Sequence, residues 1–226
     1  MIKHIKQEKI KEFLESFYNN PKEWYNKQIE EDFEFDEETQ LRIIEEKFYL
    51  KNDEYSIQYI KNPTKRVCLE AVNRDSWVIQ CIEYLTEEMC LKAVKKCGST
   101  IQFVKNPTEE IQLEAIKENG LVIRHIKNPT EEMCIEAIKK DGTAIEYIPK
   151  EEQTPEIIEA LFEHSNEPFF SDCFKYISEK FITKNLAETM INCDPKNINF
   201  LPKDLQEKFL EENPSLNKYS NNYYFE

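Results

Sequence analysis

From Thr64 onward the apolar positions of the chain return every 22 residues. Four segments align without a gap: TKRVCLEAVNRDSWVIQCIEYL from Thr64, TEEMCLKAVKKCGSTIQFVKNP from Thr86, TEEIQLEAIKENGLVIRHIKNP from Thr108 and TEEMCIEAIKKDGTAIEYIPKE from Thr130. Ala71, Ala93, Ala115 and Ala137 share one repeat position, and Ile79, Ile101, Ile123 and Ile145 share another. All three glycines of the chain, Gly98, Gly120 and Gly142, fall at a third. A period of this length is the signature of stacked supersecondary units.

Within each unit the pattern predicts two helices. The threonine reads as an N-cap, its hydroxyl accepting an otherwise unpaired N–H of the first turn. Pro63, Pro107 and Pro129 stop any helix from entering from upstream. Acidic pairs such as Glu109-Glu110 and Glu131-Glu132 suit the positive end of the helix dipole, and Lys95-Lys96 and Lys139-Lys140 suit the negative end. The glycine is expected to terminate the first helix as a left-handed residue. A second helix of about two turns then carries Ile79/Ile82, Ile101/Val104, Ile123/Ile126 and Ile145/Ile148 at i, i+3 spacing. Ile111, Leu113, Ala115 and Ile116 cannot share one narrow face of the first helix, so that helix should pack on both sides, with the alanine allowing close approach.

The array extends beyond the regular units. Ile57-Gln58-Tyr59-Ile60 followed by Lys-Asn-Pro is the second half of an earlier, divergent unit. Downstream, Thr154-Pro155 caps a helix with proline at its first position, and Ile157, Leu161 and Phe162 begin a unit lengthened around Glu167-Pro168. Thr183 opens another with Leu186, Met190 and Ile191; Asp194-Pro195 caps its short helix at Ile198 and Leu201, and Asp204 is expected to cap a last helix through Leu210. Ile10, Phe13, Leu14 and Phe17, then Leu41, Ile43 and Ile44, make helical faces ahead of the array. The expected architecture is therefore all-α: an α-solenoid of about seven short two-helix repeats with helical caps. Residues 1–50 form the amino-terminal cap, 51–148 the regular repeats, 149–212 the divergent repeats and carboxy-terminal cap, and 213–226 a loose tail.

The segments IQLEAIKENGLVIRHI and MCIEAIKKDGTAIEYI resemble a family of short tandem helical repeats of unknown function that is common in large DNA viruses and some microbes. The match is good over Thr64 to Ile148 and loose from Ile57 to Leu210. The first regular unit departs from it, with Asp75-Ser76 where the others carry glycine. The resemblance implies an α-solenoid and carries no catalytic residues.

Composition narrows the chemistry. Hydrophobic residues make up 40% and charged residues 33%, ordinary for a folded globular chain. No apolar run approaches the ~18 residues that span a bilayer, and the amino terminus is interrupted by charge every two or three residues, so no secretory signal is expected. Cys68, Cys90 and Cys134 share one repeat position on an apolar face, no C-x-x-C occurs among the seven cysteines, and a reducing, cytoplasmic setting follows. His4, His125 and His164 lie outside metal-ligand spacing of one another, and glycines 22 residues apart cannot form a phosphate loop. No cofactor, metal or catalytic set is therefore expected. The net charge of -14 excludes direct nucleic-acid binding and admits a protein partner with a basic surface. Abundant Lys, Glu, Ile and Asn also suit an AT-rich genome, such as that of a virus, a phage or a low-GC bacterium.

Two features stand out as candidate contact sites. The first is a pair of variable positions on the second helix: Gln58, Gln80, Gln102, Arg124 and Glu146, followed by Tyr59, Cys81, Phe103, His125 and Tyr147. They read either as a recognition face on a fixed scaffold or as solvated residues and aromatics covering the core edge. The second is the acidic run from Glu30 to Glu38, in which Glu31, Asp32, Phe33, Glu34, Phe35 and Asp36 alternate acid and aromatic. It reads either as a segment that docks into a basic, apolar groove or as a linker whose phenylalanines fold onto neighbouring helices. The function expected is a non-enzymatic protein–protein interaction module. The alternatives are an acidic viral or phage inhibitor filling the nucleic-acid groove of a host nuclease or defence enzyme, and an uncharacterised hydrolase.

Overall fold

A computed structural model of the chain describes residues 2–5, 9–50, 54–164 and 173–220. The fold is an all-α helical-repeat solenoid, and its contacts divide into two compact units, 1–115 and 116–226. In the first unit α1 (Ile10–Asn19), α2 (Pro21–Glu30) and α3 (Glu37–Glu46) precede the repeat helices α4 (Lys65–Arg74) and α5 (Glu87–Lys96). The division falls inside α6 (Glu109–Glu118). The second unit contains α7 (Glu131–Lys140), α8 (Pro155–His164), α9 (Lys184–Cys193) and α10 (Lys203–Glu212). The expected insertion around Glu167-Pro168 lies outside the described residues.

The second helix of each unit is a 3-10 helix: Ser76–Cys81, Gly98–Phe103, Gly120–His125 and Gly142–Tyr147. Six residues at three per turn make two turns, so Ile79 and Ile82, three apart, both reach the core. The threonines act as caps: Thr64, Thr86, Thr108 and Thr130 Oγ1 accept from the N–H of Val67, Met89, Ile111 and Met133 at 3.3–3.4 Å. Thr154 and Thr183 repeat the bond. Each 3-10 helix has its own cap where the sequence allows one. Asp75, Asn119, Asp141 and Asp194 accept from the backbone N–H two residues on at 2.9–3.1 Å.

The glycine position works differently from the expectation. No glycine has positive φ; among the described residues the left-handed ones are Asp32, Asn62, Asn106 and Asn128. The three asparagines belong to the Lys-Asn-Pro junctions, where a proline follows and the α region is disfavoured for the residue before it. Gly120 is needed for proximity, since a Cβ there would stand 2.4 Å from the Ala137 carbonyl oxygen. Ala137 is itself fully buried, so small residues on both elements let the two backbones meet.

Three of the same threonines also join their unit to the preceding helix. While accepting from its own helix, Thr64 Oγ1 donates to Glu37 at 2.8 Å and Thr108 Oγ1 donates to Glu87 at 3.2 Å. Thr154 does the same to Glu131. Each glutamate is the first residue of a preceding helix, the cap helix α3 for Glu37 and repeat helices for Glu87 and Glu131. Buried glutamines tie further segments together. Gln28 donates to the Tyr59 carbonyl at 2.8 Å and accepts from the Lys61 N–H at 3.0 Å. Gln153 makes the same pair of bonds, both 2.8 Å, to Tyr176 and Ser178.

Two terminal expectations are corrected. Asp204 lies in the first turn of α10 rather than capping it; Pro202 is at the N-cap position and offers no side-chain acceptor. The chain after Asn213 continues as a 3-10 helix, Pro214–Tyr219, held by Asn199 Nδ2 donating to the Tyr219 carbonyl at 2.8 Å.

Candidate binding grooves

In the first unit Gln58 and Gln80 are exposed, as the variable-face reading requires, and Phe103 is half-buried against Trp77 with ring centroids 5.8 Å apart. Gln102 is exposed and donates to the Ser99 carbonyl. Tyr59 departs from the expected face: it is buried, its hydroxyl donates to Glu54, and burial followed by that bond pushes its pKa up to about 12. Its role is to close the core of its own repeat. In the second unit Arg124, His125, Glu146 and Tyr147 are exposed. Arg124 Nε donates to His125 Nε2 at 3.1 Å, and burial together with the Arg124 charge holds the imidazole below its ordinary pKa.

The acidic run from Glu31 to Asp36 is folded into the cap. Phe33 and Phe35 are 1% and 2% exposed, and Phe35 packs on Phe13 and Phe17 at 5.2 and 6.3 Å. Glu34–Phe35 forms a short parallel pair with Ile2–Lys3. The acids have neighbours of their own: Glu31 pairs with Lys3 at 2.7 Å, Asp32 with Lys61 at 2.8 Å, and Glu34 accepts from Asn62 at 2.6 Å. Asp36 caps α3 and meets His4. Both aromatic side chains are thus committed to the core, because burying them stabilises the cap by roughly 1.5–3 kcal/mol each.

Two grooves open between successive repeats of the first unit. One, of about 520 Å³, lies between the junction at Ile60–Pro63 and the following unit, with Cys68, Cys81 and Ile82 on its walls and Tyr25 and Ile29 of α2 on its rim. The other, of about 540 Å³, lies one repeat further on, lined by Ile79, Gln80, Leu85, Cys90, Phe103 and Val104. Ile82, Glu83 and Tyr84 line both grooves and form the ridge between them. Tyr84 is 79% exposed, and Ile29 52%.

The ridge coincides with a break in the repeat. Neighbouring junctions read Lys-Asn-Pro, but here Glu83-Tyr84-Leu85 takes their place. Tyr84 lacks the positive φ of Asn62, Asn106 and Asn128. The substitution was legible in the alignment; its importance came from the grooves, which periodicity does not reveal. Tyr25 and Ile29, an i, i+4 pair outside the repeat, went unmarked for the same reason.

The grooves present little reactive chemistry. Burial raises the thiol pKa of Cys68 to about 11 and pushes Cys81 and Cys90 upward, so these sulfurs stay protonated and weakly nucleophilic at neutral pH. Among the described residues no three His, Cys, Asp or Glu side chains are grouped to hold a metal, and no helix is long and apolar enough to cross a membrane.

A protein-family model described as a domain of unknown function (DUF4116) matches residues 108–153. That stretch covers the third and fourth regular units and leaves both grooves outside it. Neither the curated proteins nor the solved structures contain a significant match.

Proposed function

We propose that the chain is a cytoplasmic, non-enzymatic protein-interaction module whose contact surface is the pair of grooves flanking Tyr84. The observation that carries this reading is the coincidence of a repeat break with an exposed aromatic between two grooves of mixed polar and apolar lining. The neighbouring junctions keep asparagine before proline, with the asparagine in the left-handed region that sets the turn. A large exposed side chain is instead typical of an interface anchor. The variable residues Gln58, Gln80 and Phe103 border the same grooves.

An acidic mimic of nucleic acid has less support, because the signs along the helix starts of the first unit are interspersed. Lys65 and Arg66 interrupt the glutamates and pair with Glu88 at 2.7 Å and Glu37 at 3.3 Å. The test is affinity capture from host lysate at low and raised salt, with the unaltered chain and with Tyr84→Asn as parallel baits. A protein retained at raised salt by the first bait and missing from the second is the expected result. Capture of a nucleic-acid enzyme that is lost with salt and indifferent to Tyr84 would instead favour the inhibitor.

A further inference from the structure

Building on the interaction reading, we propose that the partner of this surface is a second copy of the same chain, packed across a two-fold axis so that the Tyr84 ridge of each copy enters the groove beside Tyr84 on the other. Shape permits this directly. A ridge standing next to a groove is self-complementary: after rotation by half a turn the ridge of either copy fills the groove of the other, and every contact is made twice. The groove concerned is the one lined by Leu85, Cys90 and Val104. These apolar side chains receive the exposed Tyr84 ring of the partner.

Charge selects this groove. Lys61, Glu83 and Lys105 occupy one repeat position, so an acidic ridge stands between two basic junctions. Lys61 already has Asp32 at 2.8 Å. Lys105 is exposed and has no ion-pair partner among the described residues. In the two-fold arrangement Glu83 on each ridge meets Lys105 at the following junction of the other copy, which gives two equivalent ion pairs. The mixed lining suits such a contact, with apolar side chains for the ring and a cation for the carboxylate. A net charge of -14 on each chain pushes two copies apart, so they can meet only where local signs oppose.

The test is sedimentation velocity of the full chain over the micromolar range, with reductant present so that the exposed Cys193 thiol does not link copies. Four variants run beside it: Tyr84→Asn, Glu83→Lys, Lys105→Glu, and Glu83→Lys combined with Lys105→Glu. Each replacement is a residue that a neighbouring junction carries at that position, so the helical circular dichroism should persist. The expected result is a dimer that each single substitution weakens on the order of tenfold and that the charge exchange restores. A chain monomeric throughout the range overturns this inference. So does a dimer that the single substitutions do not weaken, or that the charge exchange does not restore. A monomer that still captures a lysate protein through Tyr84 leaves the interaction module standing, and a monomer that captures none overturns both.

Discussion

Gly120 separates two accounts of a conserved-looking small residue. Its φ is not positive, so relief of chain entropy alone would make alanine there stabilising by about 0.4–1 kcal/mol. The 2.4 Å approach to the Ala137 carbonyl reverses that sign, because neither contacting group is a flexible side-chain tip. Gly120→Ala should therefore lose about 1–3 kcal/mol, read as a lower urea midpoint; a raised midpoint would refute the close approach. Asp75 makes a second prediction. Burial works to raise its carboxyl, but hydrogen bonds from the Tyr49 hydroxyl, the Trp77 N–H and the Tyr55 hydroxyl hold it below the ordinary 3.8. A carboxylate depressed by folding adds stability that is present above its unfolded pKa and lost as pH falls through the folded one. Urea midpoints of Asp75→Asn should accordingly fall less steeply than those of the unaltered chain below about pH 4; parallel curves would remove Asp75 from the acid response. The repeat alignment left the helix end at position 75 less defined than in the glycine-bearing units, and two tyrosines converging on it from residues 49 and 55 is a tertiary fact that no local pattern encodes.

The elements were legible where one interaction repeats and obscure where it does not. Threonine every 22 residues announced the helix starts because capping is local to four residues. Its second bond, to a glutamate more than 20 positions earlier, could be seen only once the helices were side by side. The hydroxyl that makes both bonds can be separated from the methyl by substitution. Thr108→Ser keeps both and should cost a few tenths of a kcal/mol, whereas Thr108→Val loses both and should cost about 1–2 kcal/mol. Thermal denaturation of the two variants distinguishes them, and a loss in Thr108→Ser as large as that in Thr108→Val would show that the hydroxyl bonds contribute no more than the methyl. The buried glutamines escaped prediction for a related reason. Gln28 and Gln153 look like surface residues in sequence, yet each satisfies a carbonyl and an N–H that would otherwise be stranded. For the acidic run the sequence left two readings open, and the burial of Phe33 and Phe35 follows the one that folds the phenylalanines onto neighbouring helices.

At the scale of the molecule, each of the two compact units has its own buried side chains, from Phe17 and Ile43 in the first to Leu161 and Phe174 in the second. Repeat stability is approximately a sum of unit and nearest-neighbour terms. Excision of residues 86–107, one whole period, should then leave a folded chain with proportionally less helical signal. Excision of 86–96 alone should cause broad unfolding, because a 3-10 helix would be left without its partner. Circular dichroism and size-exclusion chromatography of the two deletions decide this, and equal damage from both would contradict a modular array. The threonine–glutamate bond has a bearing on how such an array can change over generations. The copies that begin at Thr86, Thr108 and Thr130 carry a threonine at their start and a glutamate one residue later, so a duplicate of one of these arrives with both halves of the joint; the copy from Thr64, with Lys65 in place of the glutamate, does not. Array length can thus drift by recombination without new surfaces being invented, leaving selection free to work on a single altered junction such as the one at Tyr84.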